Sequence, residues 1–178
     1  MRLIDLFESA APSGVIIAYH GGSGFDGHFK LNFSGSGEGY RLLGPGMYFI
    51  TNKYMANNYG KKYGHRDHSV YTVELNVRNF YNNRVAKTSA LTAAFDGIAK
   101  ELGLETGDDI SYNPQRALHS GRGQIGSVVE KVGHKKAQEL FIKHGVDGAM
   151  ENIDEDIWEL CVFNLDMVRI INKEPVTQ

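Results

Sequence analysis

The sequence predicts an α+β domain built mainly from antiparallel strands. Three observations carry this. Strand-like runs come first and last, with helix-patterned segments between them. SVYTVELNV (69–77) alternates, with Val70, Thr72, Glu74 and Asn76 on one face and Tyr71, Val73, Leu75 and Val77 on the other. SALTAAFDGIAKELGL (89–104) repeats at helical spacing instead, through Leu91, Ala94, Phe95, Ile98 and Leu102.

The elements follow in chain order. Residues 2–8 fit a short helix or an arm, and the breaker from Ala10 to Gly14 ends it. GVIIAYH reads as a buried strand ending at His20, rich in β-branched and aromatic residues. GGSGFDG is a glycine-rich loop, HFKLNF alternates weakly, and SGSGEG is a turn. YRLLG leads into GPGMYFIT, where MYFIT is a strand and Thr51 or Asn52 an N-cap. KYMANNYGKKYG is a helix stopping near Gly60 or Gly64. After the strand 69–77, residues 85–145 form a mainly helical segment. It holds the helix at 89–104, a polar, loop-like stretch at 105–124 with room for one short helix, and a helix from Lys135 to His144 stopped by Gly145. VDGAM is a strand, ENIDED an acidic turn, and WELCVFNLDMVRII one or two strands.

Bulk properties bound the function. A chain of 178 residues fits one domain, 1–178. It is 42% hydrophobic and 22% charged, with a net charge of -2, so no overall basic field points to nucleic acid. The single cysteine, Cys161, sits in an apolar run and reads as a small buried hydrophobe. Asp5 and Glu8 interrupt what would be the apolar core of a signal peptide, and no window is long and apolar enough for a membrane span. A cytoplasmic monomer is the expectation.

Three places invite chemistry. YHGG (19–22) sets His20 at a strand end beside bare backbone, which fits a ligand-facing ring or a turn histidine. GPGMYFITNKYMANNYG (44–60) sets Tyr48 and Tyr59 eleven residues apart, which fits an aromatic slot for a flat ring or two core tyrosines. IWELCVFN puts Glu159 in an apolar strand, sharing a face with Cys161 and Phe163, which fits a cleft carboxylate or an outward-facing one. Elsewhere the signals are weaker. HRDH (65–68) lacks a third metal ligand and reads as a solvated loop, so no metal is expected. HSGRGQIG lacks the P-loop ending and reads as a polar, flexible stretch, in which Arg116 and Arg122 could meet a pyrophosphate or an acidic target. His119, His134 and His144 read as surface residues.

Taken together, the blocks resemble the His-Tyr-Glu class of ADP-ribosyltransferases, the diphtheria-toxin and poly(ADP-ribose) polymerase type, in its small bacterial or phage form. The matching residues are His20-Gly21, Gly44-Pro45-Gly46-Met47-Tyr48-Phe49 with Tyr59, and Glu159-Leu160-Cys161-Val162-Phe163-Asn164. The resemblance implies split antiparallel sheets around an NAD cleft, with the helical segment inserted. It implies NAD as co-substrate and transfer of ADP-ribose to a macromolecular acceptor, a protein or a nucleic acid. Glu159 is implied as the carboxylate that stabilises charge at the ribose C1′. Gly21 would hold the nicotinamide carboxamide, His20 the adenosine-side ribose, and Tyr48 and Tyr59 the nicotinamide ring. Gly46, Phe49 and Ala56 complete the implied cofactor-binding set. Two departures bear on the product. Ala56 stands where the polymerases carry a hydroxyl residue, and Met55 where they carry a lysine, so mono-ADP-ribosylation is expected rather than chain growth. Ile157, two residues before Glu159, departs from the arginine-specific toxins. An NAD glycohydrolase would share every donor-site residue, and a non-catalytic NAD or ADP-ribose binding module would share the fold. RNA 2′-phosphotransferase chemistry would want a basic set near the motifs, which the sequence lacks. The acidic stretch Glu151 to Trp158 is expected to act as the loop that chooses the acceptor.

Overall fold

The computed structural model describes residues 12–23, 29, 43–63, 68–82, 87–104 and 123–176. The expected arm at 2–8, most of HFKLNF, the turn at 34–39, His65 to Asp67, and the stretch with Arg116, His119 and Arg122 lie outside these residues.

The described residues form seven strands and four helices. The strands are β1 (Gly14–Ser23), β2 (Met47–Ile50), β3 (His68–Val77), β4 (Phe80–Tyr81), β5 (Gly148–Asp154), β6 (Ile157–Val162) and β7 (Val168–Pro175). The helices are α1 (Lys53–Tyr63), α2 (Ser89–Glu101), α3 (Gly123–Val132) and α4 (His134–Lys143). All strands join one mixed sheet in the order β4-β5-β6-β2-β1-β3-β7. Every neighbouring pair is antiparallel except β4 and β5. The α+β class is therefore met, but the expected pair of separate sheets is one sheet with a narrow join. β1 pairs β3 along its whole length, whereas it meets β2 at Tyr19↔Ile50 alone.

Local sequence explains most elements. In β3, Tyr71, Val73, Leu75 and Val77 are buried, as alternation requires, and Ser69 and Val70 are buried as well. Helix α2 buries Leu91, Ala94, Phe95 and Ile98, and Thr88 caps it by accepting from the Leu91 N–H. Helix α4 stops where Gly145 takes a positive φ of 79°. Asn52, of the two candidates, caps α1: its Oδ1 accepts from the Met55 N–H. Thr51 instead ties β2 to β6, accepting from the Trp158 N–H at 2.9 Å.

Three differences from the sequence reading matter. Helix α3 lies where no separate helix was expected. β4 is a two-residue strand without a sequence signature. The acidic turn is also far shorter than expected, because β5 runs through Asp154 and only Glu155 and Asp156 form the turn. The apolar run from Trp158 to Ile171 resolves into two strands separated by a 3-10 turn at Leu165–Met167.

Apolar cores cover part of each face of the sheet, while Val15 and Ile17 of β1 stay exposed. On one face, α2, α3 and α4 pack Phe95, Ile98, Ile125, Leu140 and Phe141 against Ala149, Cys161 and Phe163. Phe141 and Phe163 stack at 4.9 Å. The other core joins Met47, Phe49, Leu160 and Val162 to Ala18, Val73 and Leu75, so side chains link the two halves that backbone pairing barely joins. A small third cluster of Ile50, Ala56 and Val70 lies under α1. No helix among the described residues is long and apolar enough to cross a membrane.

Candidate functional site

The site is built at the narrow join. Directly paired residues in a ladder share a face, as do residues two apart in one strand. Tyr48 pairs Cys161, Ile50 pairs both Glu159 and Tyr19, and Glu159 pairs Glu151. Tyr48, Glu159, Glu151, Tyr19 and Gly21 therefore lie on one face. This is the face that α1 covers at one end and α2–α4 cover at the other. Glu159 lies between those two covers. It acts electrostatically on both Tyr48 and Cys161.

The glycine-proline-glycine entry aims Tyr48. Gly44 takes φ 114°, which an L side chain rarely adopts. A Cβ on Gly46 would stand 2.4 Å from the Val162 carbonyl oxygen. The chain therefore hugs β6 as it enters β2. The Tyr48 hydroxyl accepts from the Leu43 N–H at 3.0 Å and donates to the Gly44 carbonyl at 3.2 Å. Burial, with Cys161 and then Glu159 adding to it, pushes the Tyr48 pKa far up, so the phenol stays neutral. Cys161 is likewise held as a thiol, chiefly by burial. It is no nucleophile here.

His20 lies on the opposite face from Glu159 and Tyr48. Its ring sits among Phe29, Phe49 and Tyr71, with centroids 5.6, 5.8 and 6.4 Å away. It is nonetheless tied to the site, because Nδ1 lies 2.7 Å from the Tyr48 carbonyl oxygen. A carbonyl only accepts, so Nδ1 carries the proton and Nε2 is the acceptor of the ring. Burial lowers the His20 pKa, and the bond to Tyr48 opposes this. The ring is neutral at pH 7.

The remaining candidates divide by role. Gly21 is bare for a packing reason: a Cβ there would stand 1.8 Å from the Ala56 carbonyl oxygen and 2.7 Å from the Gly60 nitrogen. Helix α1 thus seats directly on Gly21. Beside this contact, β1 and β2 share no ladder pair other than Tyr19↔Ile50. Ala56 is buried against Ile50 and Val70, which makes it a packing residue. Phe49 is buried in the sheet core and supports the His20 ring. Tyr59 stands on α1 one residue before the contact with Gly21 and is 37% exposed.

One site residue escaped the sequence reading. Glu151 lies in the stretch expected to choose the acceptor, yet it is a strand residue, 4% exposed, directly across from Glu159. The sequence carried no signal for the pairing, because a regular hairpin with Asp154↔Ile157 would set Glu151 against Leu160, and the irregularity between Asn152 and Asp154 shifts it to Glu159. Among the described residues no three His, Cys, Asp or Glu side chains gather to hold a metal ion.

Comparison of the chain with protein-family models, curated proteins and solved structures finds no match. The functional reading therefore rests on the residues and their geometry.

Proposed function

We propose that the chain is an NAD-dependent mono-ADP-ribosyltransferase with a macromolecular, preferentially protein, acceptor. The observation that carries the reading is the juxtaposition at Tyr48. Glu159 shares its face and its field, and His20 is bonded to its carbonyl. Gly21 and Tyr59 flank the gap where β1 leaves β2. The order of the three motif blocks, around His20, Tyr48 and Glu159, supports the same reading.

NAD would lie along this gap as a substrate, with its nicotinamide beside Tyr48 and Tyr59 and its carboxamide on the edge of Gly21. The reaction breaks the bond between nicotinamide and ribose C1′ and forms one from C1′ to the acceptor. Nicotinamide leaves with the bonding electrons, and the proton of the acceptor passes to solvent. Positive charge develops at C1′ on the way, and the Glu159 carboxylate offsets it at short range in a partly water-excluded place. His20, on the opposite face, serves the site through its bond to the Tyr48 carbonyl, which ties β2 to β1. The rigid hydroxyl anchoring of Tyr48 keeps its ring in place without any cost of ordering on binding. The exposed acidic residues Asp154, Glu155 and Asp156 at the hairpin tip favour a basic acceptor surface.

The test is incubation of the protein with labelled NAD, with and without cell lysate, beside Glu159→Gln. Label on a macromolecule that drops at least about 100-fold in the variant is the expected result. Free nicotinamide and ADP-ribose without labelled product would make the chain a glycohydrolase. Saturable NAD binding without turnover would make it a binding module. Equal turnover by parent and variant would remove Glu159 from the mechanism.

A further inference from the structure

The turn that leads into Tyr48 is gripped from the helical side of the sheet. A Cβ on Gly44 would stand 2.6 Å from Cγ2 of Ile125 and 3.2 Å from Cε1 and Cζ of Phe163. A methyl of α3 and the edge of a ring therefore press on the bare Cα. Both side chains are buried, Ile125 within α3 and Phe163 just beyond β6. Phe163 is itself held twice. Its ring stacks on Phe141 of α4, and its carbonyl accepts from Nε2 of Gln138 at 3.0 Å.

The Gly44 carbonyl is where this grip meets the site. It accepts from the Tyr48 hydroxyl at 3.2 Å, from the Gly46 N–H at 3.2 Å and from the Cys161 thiol at 3.4 Å. The Leu43 N–H donates to the same Tyr48 hydroxyl at 3.0 Å, and Leu43 shares the helix-packed core with Ile125 and Phe163. A carbonyl oxygen has two lone pairs, so three donors stay gathered on it only where the peptide is kept from turning. Glycine supplies no stiffness of its own, and Gly44 at φ 114° stands where only glycine is at ease. The stiffness comes from the side chains that press on it.

We propose that Ile125 is a positioning residue for Tyr48: its Cγ2 methyl, with Phe163 as the abutment, holds the Gly44 carbonyl that anchors the Tyr48 hydroxyl. A tyrosine ring swings about two side-chain torsions unless its far end is tied. The two bonds at the hydroxyl are that tie, and the helical core packs both of their backbone partners. When the Gly44 peptide turns, the hydroxyl loses its acceptor and the ring gains freedom. A ring that must be ordered on binding weakens the hold on a flat ligand, and the Glu159 carboxylate is untouched. The helical segment, which carries no motif, thereby takes part in the site. This rests on the transferase reading for its meaning in NAD binding, whereas the grip itself does not require NAD.

Two measurements separate these layers. The first is hydrogen exchange of the Leu43 amide by NMR, without NAD, in the parent, Ile125→Leu and Ile125→Val. Leucine keeps the volume but lacks the Cγ2 methyl, whereas valine keeps Cγ2 and loses only the terminal methyl. Leu43 should exchange about tenfold faster in Ile125→Leu and within about twofold of the parent in Ile125→Val, with the amides of β3 unchanged in both. Equal exchange in all three proteins overturns the proposal. So does the opposite order, which loss of core volume alone would give. The second measurement is NAD affinity at equilibrium in a cycle of Ile125→Leu, Tyr48→Phe and the double variant. Ile125→Leu should weaken binding about fivefold in the parent, and less than about twofold once Tyr48→Phe has removed the hydroxyl through which it acts. Equal losses in both backgrounds overturn the proposal. Faster Leu43 exchange in a protein that binds no NAD leaves the grip standing and removes the transferase reading.

Discussion

His20 illustrates how one residue is set by its surroundings. Three aromatic rings enclose it, and the Tyr48 carbonyl fixes its tautomer. Its pKa lies below the ordinary 6.5. Between the folded value and 6.5 the unfolded chain binds a proton that the folded chain refuses. Stability is therefore complete above pH 6.5 and declines as pH falls below it, by at most about 1.4 kcal/mol per pH unit for this group. Urea denaturation from pH 7 to pH 5 should show this slope, and His20→Gln should make it shallower. His134, also lowered by burial, accounts for part of the slope that remains. An unchanged slope in His20→Gln would contradict a buried neutral ring. The identity of His20 as a site candidate was legible from its glycine neighbours. Its aromatic cage was not, because Phe49 and Tyr71 come from strands distant in sequence.

At the level of elements, the docking of α1 on β1 decides where the cleft begins. The contact is backbone on backbone, since the Ala56 carbonyl occupies the position that a Cβ on Gly21 would need. A carbonyl inside a helix cannot move without breaking its own hydrogen bond. Gly21→Ala should therefore cost about 2 kcal/mol or more. Gly60→Ala should cost less, because its Cβ would meet the Val176 side chain at 3.0 Å and the Gly21 backbone only at ordinary contact distances of 3.5 and 3.7 Å. Denaturation midpoints of the two variants compare the effects directly, and equal midpoints would mean that α1 does not seat on Gly21. The sequence indicated the helix and both glycines. It did not show that bareness at Gly21 serves packing, since that depends on which strand the helix folds back upon. The hairpin teaches the same lesson. A run of acidic residues reads as a turn, yet the ladder with β6 draws Glu151 to Asp154 into a strand and leaves two residues to turn.

For the whole molecule, one backbone pair joins the two halves of the sheet, and a shared apolar core does the rest. Leu160 is fully buried in that core, which gathers residues from both halves. Leu160→Ala should cost about 2–5 kcal/mol. The loss should appear as one transition, with Trp158 fluorescence and far-ultraviolet dichroism coinciding, because neither half has a core of its own on that face. Two separated transitions would mean that the halves fold independently. The sequence alone determined the α+β class, the alternation of β3, the face of α2 and the three blocks around His20, Tyr48 and Glu159. Each of these depends on neighbours within a few residues, where periodicity and turn chemistry act. Tertiary structure alone decided the single sheet with its narrow join, the opposite faces of His20 and Glu159, and the pairing of Glu151 with Glu159. Those follow from strand register and from which surfaces meet, and both are settled by burial summed over the whole chain rather than by any local run of residues.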